Sequence, residues 1–148
     1  MIDSILREIL AKFLKPPIKS SEETLIDGDN PLSTFSARIK VLYRLGIISE
    51  ELKKDLDQIR KIRNYSAHNV DFELQNAPIR DHCKELKKTV IKRHSYIICK
   101  QRYYGLKSLN QFEEIQSIFI TILIILNGIS IKMNQTIGFK DFIEISKK

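Results

Sequence analysis

Five glycines and four prolines are few for a sheet protein full of tight turns, so the composition favours a mainly helical fold. Cys83 and Cys99 are too far apart for a metal-type pair and have no His or Cys at ligand spacing, which excludes a zinc site and predicts reduced, half-buried thiols. Ser33, Thr34 and Ser36 lack a nucleophile context such as Gly-x-Ser-x-Gly and read as packing and capping residues. Finger spacings, RNP-like aromatic sequences, internal repeats and low-complexity segments are all missing. The start, Met1-Ile-Asp-Ser-Ile-Leu-Arg-Glu, has acidic residues where a secretion signal needs a basic region before an apolar block, so a cytoplasmic location is expected. No cofactor or metal is expected.

What is present fits one soluble domain. A chain of 148 residues with 43% hydrophobic and 29% charged residues can bury a core without metal or disulfide staples. The expected domain runs from 1 to 148 as a single bundle of five or six helices. The formal charge of +7 makes a polyanion a plausible partner, although net charge alone also maintains solubility.

Periodicity places the helices. Ile2, Ile5, Leu6, Ile9, Leu10, Phe13 and Leu14 form an amphipathic stripe that Lys15-Pro16-Pro17 stops, and residues 18–30 read as mostly loop. A second helix is expected from Pro31 to Leu45, with Asn30 as cap, Pro31 at the first helical position and Gly46 just past the end. Ser49 caps a third helix reaching about Ala67, with Glu50 and Glu51 in its first turn. So short a turn between the two predicts a helical hairpin at the centre of the bundle. Residues 69–77 read as a loop anchored by Phe72 and Leu74. A fourth helix starts at Pro78 and could run on through His94–Lys107, with a break more natural at Tyr103-Tyr104-Gly105. Asn110 can cap a last long helix. Its run from Ile118 to Leu126 is too short for the roughly 20 apolar residues of a bilayer span, because Asn127, Gly128, Ser130 and Lys132 follow. That run is expected to be the most buried helix, with a docked tail or short extra helix after Met133 and no membrane partner.

Three groups of residues could carry chemistry. Asn64 and His68 are four apart and share a helix face, while Arg63 is about 140° round the axis with a long side chain. Guanidinium, amide and imidazole together suit metal-independent cleavage of an RNA phosphodiester by its own 2′-hydroxyl. The competing and stronger reading is structural, with Asn64 and His68 tying down the helix end. Asp27 and Asp29 flank Gly28 and could hold a metal or act as acid and base, but Asp-Gly-Asp-Asn-Pro reads better as turn chemistry before a helix. The segment 84–107 has many cations against the single acid Glu85, with Tyr96, Tyr103 and Tyr104 interleaved. Lys87, Lys88, Lys92, Arg93 and Arg102 are its candidate nucleic-acid contacts, and RNA the candidate ligand. Otherwise it is a solvated helix face. The turn at Gly46 makes a poor DNA reader, because Glu50 and Glu51 open the helix after it.

The succession Asp27-Gly-Asp-Asn-Pro-Leu-Ser-Thr-Phe-Ser-Ala-Arg-Ile, Leu45-Gly-Ile-Ile-Ser, Asp55-Leu-Asp-Gln-Ile-Arg-Lys-Ile-Arg-Asn with Ala67-His68, and Ile79-Arg-Asp-His-Cys83 resembles the mannitol operon repressor family over roughly Leu25 to Leu86. The resemblance implies an all-helical fold and transcriptional regulation through a regulatory protein partner, without a recognised DNA-binding motif. It marks Asp27, Asp29, Asn30, Pro31 and Arg38 as family-motif positions. Arg63-Asn64 with His68 also resembles the Arg-x4-His signature of HEPN domains, helical dimers that include metal-independent ribonucleases. By that likeness Arg63 would bind the scissile phosphate, His68 would exchange the proton and Asn64 would orient them, in a homodimer. The family carries a polar residue and then Phe where this chain has Tyr65-Ser66, which removes an aromatic anchor. No sugar ligand is expected.

Overall fold

A computed structural model describes residues 1–14, 25–69 and 76–145, those from 134 onward as backbone only. It contains six helices and, among the described residues, no strand: α1 (Ile2–Phe13), α2 (Phe35–Arg44), α3 (Glu50–His68), α4 (Ala77–Val90), α5 (His94–Tyr104) and α6 (Gln111–Ile145). The fold is all-α, as the sparse glycine and proline imply. Prolines 16 and 17, Phe72 and Leu74 lie outside the described residues.

The chain forms two compact units, residues 1–47 with 125–148, and residues 48–124. In the first, α1 packs on α2. Leu6, Ile9 and Leu10 of α1 and Phe35, Ile39 and Leu42 of α2 make its apolar core. In the second, α3 packs on α4 through Leu52, Leu56, Ile59 and Ile62 on one side and Ile79, Cys83, Leu86 and Val90 on the other. Within its own unit α2 has α1 as its main partner, and α3 has α4.

Helix ends follow local chemistry. α2 closes with Gly46 at φ 70°, its N–H donating to the Tyr43 carbonyl at 2.9 Å while the Ile47 N–H reaches Leu42 at 3.0 Å. This is the paired closure for which a left-handed residue is required. Ser49 accepts from the Leu52 N–H at 3.2 Å and opens α3 as expected. Asn110 and Glu113 exchange reciprocal bonds, 2.9 Å to the Glu113 N–H and 3.0 Å from the Asn110 N–H, so α6 begins in a capping box.

Three expectations are corrected. α2 starts at Phe35 rather than Pro31, with Thr34 as its cap accepting from the Ala37 N–H at 3.1 Å. Asn30 to Ser33 instead close a turn, Ser33 N–H to Asn30 carbonyl at 3.0 Å, for which Pro31 suits the second position equally well. The fourth helix is not prolonged: Arg93 is extended at φ −80°, ψ 139°, and separates α4 from α5. No docked tail or separate short helix follows Met133, since α6 continues to Ile145 as one helix of 35 residues. Gly128 costs only about 1 kcal/mol in a helix, and the buried hydroxyl of Ser130 is satisfied by Glu8 and Lys12. Nor is α6 buried all round. Ile118, Ile122 and Leu126 are sealed, yet Ile124 and Ile131 are 45% and 59% exposed. By length and composition Gln111–Met133 could cross a bilayer, and a third of its apolar window is buried.

Candidate functional site

The family-motif loop is a clasp within the first unit. Gly28, at φ 66°, turns the chain so that the Asn30 amide donates to the Asp27 carbonyl at 2.7 Å, and the Leu32 N–H reaches back to Leu25 at 3.0 Å. Arg38 on α2 is the centre of it. Its side chain is buried, with the residue only 6% exposed. Nε donates to the Leu32 carbonyl at 3.1 Å, Nη1 to Asp3 Oδ1 at 2.7 Å and Nη2 to the Ile26 carbonyl at 2.8 Å. A planar fork with several fixed donors can join three such acceptors; a lysine ammonium cannot match that geometry. Asp27 in turn pairs with Arg7 of α1, whose guanidinium is held further toward its charged form by that hydrogen bond and charge.

Asp27, Asn30 and Arg38 are thus brought together, whereas Asp29 and Pro31 stay near the surface. The sequence reading missed Asp3 and Arg7, which give this loop its counter-charges. Both are on α1 four residues apart, on one face, but nothing local says where that face docks. Asp27 is occupied by Arg7, and no cluster of three or more His, Cys, Asp or Glu suited to a metal occurs among the described residues.

Arg63, Asn64 and His68 occupy the last turns of α3 and are all exposed. The helix end is tied down by other residues: the Ser66 hydroxyl donates to the Arg63 carbonyl at 2.9 Å and the Asn69 amide to the Tyr65 carbonyl at 2.8 Å. Asn64 and His68 share an open face one turn apart.

In the basic segment most cations have acidic neighbours. Lys87 pairs with Glu114 at 2.7 Å, Lys88 with Glu85 at 2.5 Å and Lys107 with Glu113 at 2.8 Å. Arg93 pairs with Asp55, a carboxylate on α3 that is 1% exposed and also accepts from the Thr89 hydroxyl at 2.5 Å. Burial pushes the Asp55 carboxyl above its ordinary range, against the opposing pull of Thr89 and Arg93. Arg93 therefore joins α3 to the start of α5. Lys92 and Arg102 are exposed. Of the three tyrosines, Tyr96 is buried, and burial together with Glu114 and Cys99 raises its phenol. The Tyr104 hydroxyl donates to Gln116 at 3.1 Å, and Tyr103 projects outward. Cys83 and Cys99 are free and buried, and burial pushes the Cys83 thiol up.

The fold defines an all-α protein in which Arg38, buried on α2, clasps the entry loop to α1. The family model of the mannitol repressor, MtlR, matches residues 1–103, which include the clasp, the end of α3 and most of α5. The chain belongs to the mannitol repressor family. It is similar to the mannitol operon repressor of Escherichia coli strain K12, at 35% identity over 52 residues, covering 35% of this chain and 27% of that protein. The mannitol operon repressor of Escherichia coli O6:H1 strain CFT073 matches with the same identity and coverage. The matched stretch spans about a quarter of the length of these curated relatives. No solved structure matches the chain.

Proposed function

We propose that this protein is a cytoplasmic transcriptional regulator of the mannitol-repressor type that acts by binding a regulatory protein partner, as a homodimer. The observation that carries this reading is the family match across residues 1–103. The motif residues within that span support it: Asp27, Asn30 and Arg38 hold α1, the entry loop and α2 in one arrangement rather than forming a pocket for a small ligand. The outward face of α6 supports self-association, because Ile124 and Ile131 leave apolar area in water beside the uncharged Asn127.

Two measurements test the reading. Light scattering on the purified chain should give twice the monomer mass. Cross-linking in native lysate should capture one defined protein repeatedly, and Ile124→Asp should return the chain to a monomer. A monomeric chain that captures nothing would remove the proposal.

A second reading has its own observation. Asn64 and His68 lie exposed one turn apart on α3, open to an RNA backbone, with Arg63 on the same helix end. A metal-independent ribonuclease would release 2′,3′-cyclic phosphate ends from RNA in chelator. A folded His68→Ala variant with unchanged cleavage would exclude it. Simple RNA binding through Lys92 and Arg102 would weaken with salt as counterions rebind.

A further inference from the structure

Among the described residues, the second unit's most exposed apolar side chains lie in and beside the connection between α5 and α6, which its own hydrogen bonds shape. Gly105, at φ 64°, stops α5, and the Asn110–Glu113 capping box starts α6. The Tyr104 hydroxyl on Gln116 ties the two helices together close to the turn. At this apex Leu106 is fully exposed, Phe112 is 63% exposed and Tyr103 is 59% exposed. Large apolar residues exposed on both sides of one turn mark an interaction surface.

Cations predominate on the α5 side of the turn. Between Leu86 and Phe112 the sequence contains no Asp or Glu. Lys100 and Arg102 stand on the last turns of α5, and Lys107 lies in the turn itself. The nearest acid, Glu113, is folded back onto the Asn110 N–H and the Lys107 ammonium, which hold its carboxyl below the usual range. The turn is therefore apolar, with Lys100 and Arg102 on its α5 side and Lys107 offset by Glu113.

We propose that the α5–α6 apex docks this protein reversibly on an anionic lipid bilayer, with Leu106, Phe112 and Tyr103 entering the boundary between headgroups and acyl chains and Lys100 and Arg102 facing the headgroups. Apolar insertion combined with a cationic rim is the two-signal arrangement that surface binding requires. A bilayer accepts exposed apolar side chains without a preformed pocket, which a protein partner would have to supply for Leu106. Leu106, the most exposed of the three, is aliphatic and offers no plane on which a nucleic-acid base could stack. Surface docking does not require a spanning segment, so it stands apart from the question of whether the apolar part of α6 crosses a membrane. It also stands apart from the proposed self-association face, which involves Ile124 and Ile131.

The test is co-sedimentation of the purified full-length chain with vesicles of phosphatidylcholine alone and of phosphatidylcholine with about 30% phosphatidylglycerol. The chain should pellet with the anionic vesicles only, less so in high salt. Leu106→Asp should weaken that partition by roughly tenfold or more, from the loss of one inserted apolar side chain. Phe112→Ser and Arg102→Glu should each weaken it separately, and all three sites are exposed enough for the fold to be kept, as circular dichroism would show. Failure to pellet with anionic vesicles overturns the proposal, as does Leu106→Asp binding as well as wild type, which would leave only diffuse charge attraction. A vesicle-free change of oligomer size in Leu106→Asp would overturn it too, assigning the apex to a second copy of the chain.

Discussion

Replacing Arg38 by methionine keeps the apolar stem and removes the guanidinium that joins α1, the entry loop and α2. Two backbone carbonyls, Ile26 and Leu32, lose their donor. A buried acceptor left without a partner costs about 1–3 kcal/mol. Asp3 also loses its partner, but its side chain is 32% exposed and regains water, so that pair counts for about 0.5–1 kcal/mol. Extra apolar burial by the methionine returns about 1 kcal/mol. The net expectation is a loss of about 3 kcal/mol, a large part of the 5–15 kcal/mol that holds a typical domain together. Urea denaturation followed by circular dichroism measures it. With a slope of about 2 kcal/mol per molar, the midpoint should fall by about 1.5 M. Arg38→Lys should fall between, because an ammonium retains the charge but cannot span all three acceptors. An Arg38→Met variant within about 0.5 kcal/mol of wild type, at unchanged slope, would refute the clasp as a stabilising element.

The other predictions concern single groups. Burial raises the Asp55 carboxyl above its unfolded value, so the folded chain binds that proton more tightly. Its contribution favours folding below the unfolded value and is lost as pH rises from there through the folded value. Asp55→Asn, whose single amide oxygen replaces only one of the two oxygens that accept from Thr89 and Arg93, should therefore flatten the dependence of stability on pH through that window and cost about 1 kcal/mol at neutrality. Asp55→Ala, which leaves both donors unmet, should cost about 2 kcal/mol, and chemical denaturation across pH separates the two. Gly46→Ala meets no neighbouring atom, so its cost, about 1–2 kcal/mol in thermal or urea unfolding, comes from the left-handed backbone alone. Asn110→Ala removes the cap of α6 and should cost about 1 kcal/mol, with faster amide exchange at Glu113 as the local readout.

What could be read from the chain alone was whatever is encoded within a few residues. Ser49, Gly46 and Asn110 each act on backbone groups three positions away, so their roles were visible without any fold. The apolar stripes of α1, α3 and α4 were visible for the same reason, because helical period and burial coincide there. The start of α2 was misplaced where two local solutions compete: Pro31 suits a helix start and a turn alike, and the turn forms because Arg38 holds its carbonyls from six and twelve residues away. Tertiary structure alone decided which helices pair, why Arg38 is buried, that Arg93 neutralises Asp55 across 38 positions rather than facing solvent, and that α6 runs through Gly128 and Ser130. In each case the deciding partner is distant in sequence. A hydrogen bond or ion pair between such residues leaves no periodicity in the chain, and it forms only after packing has brought the two elements together.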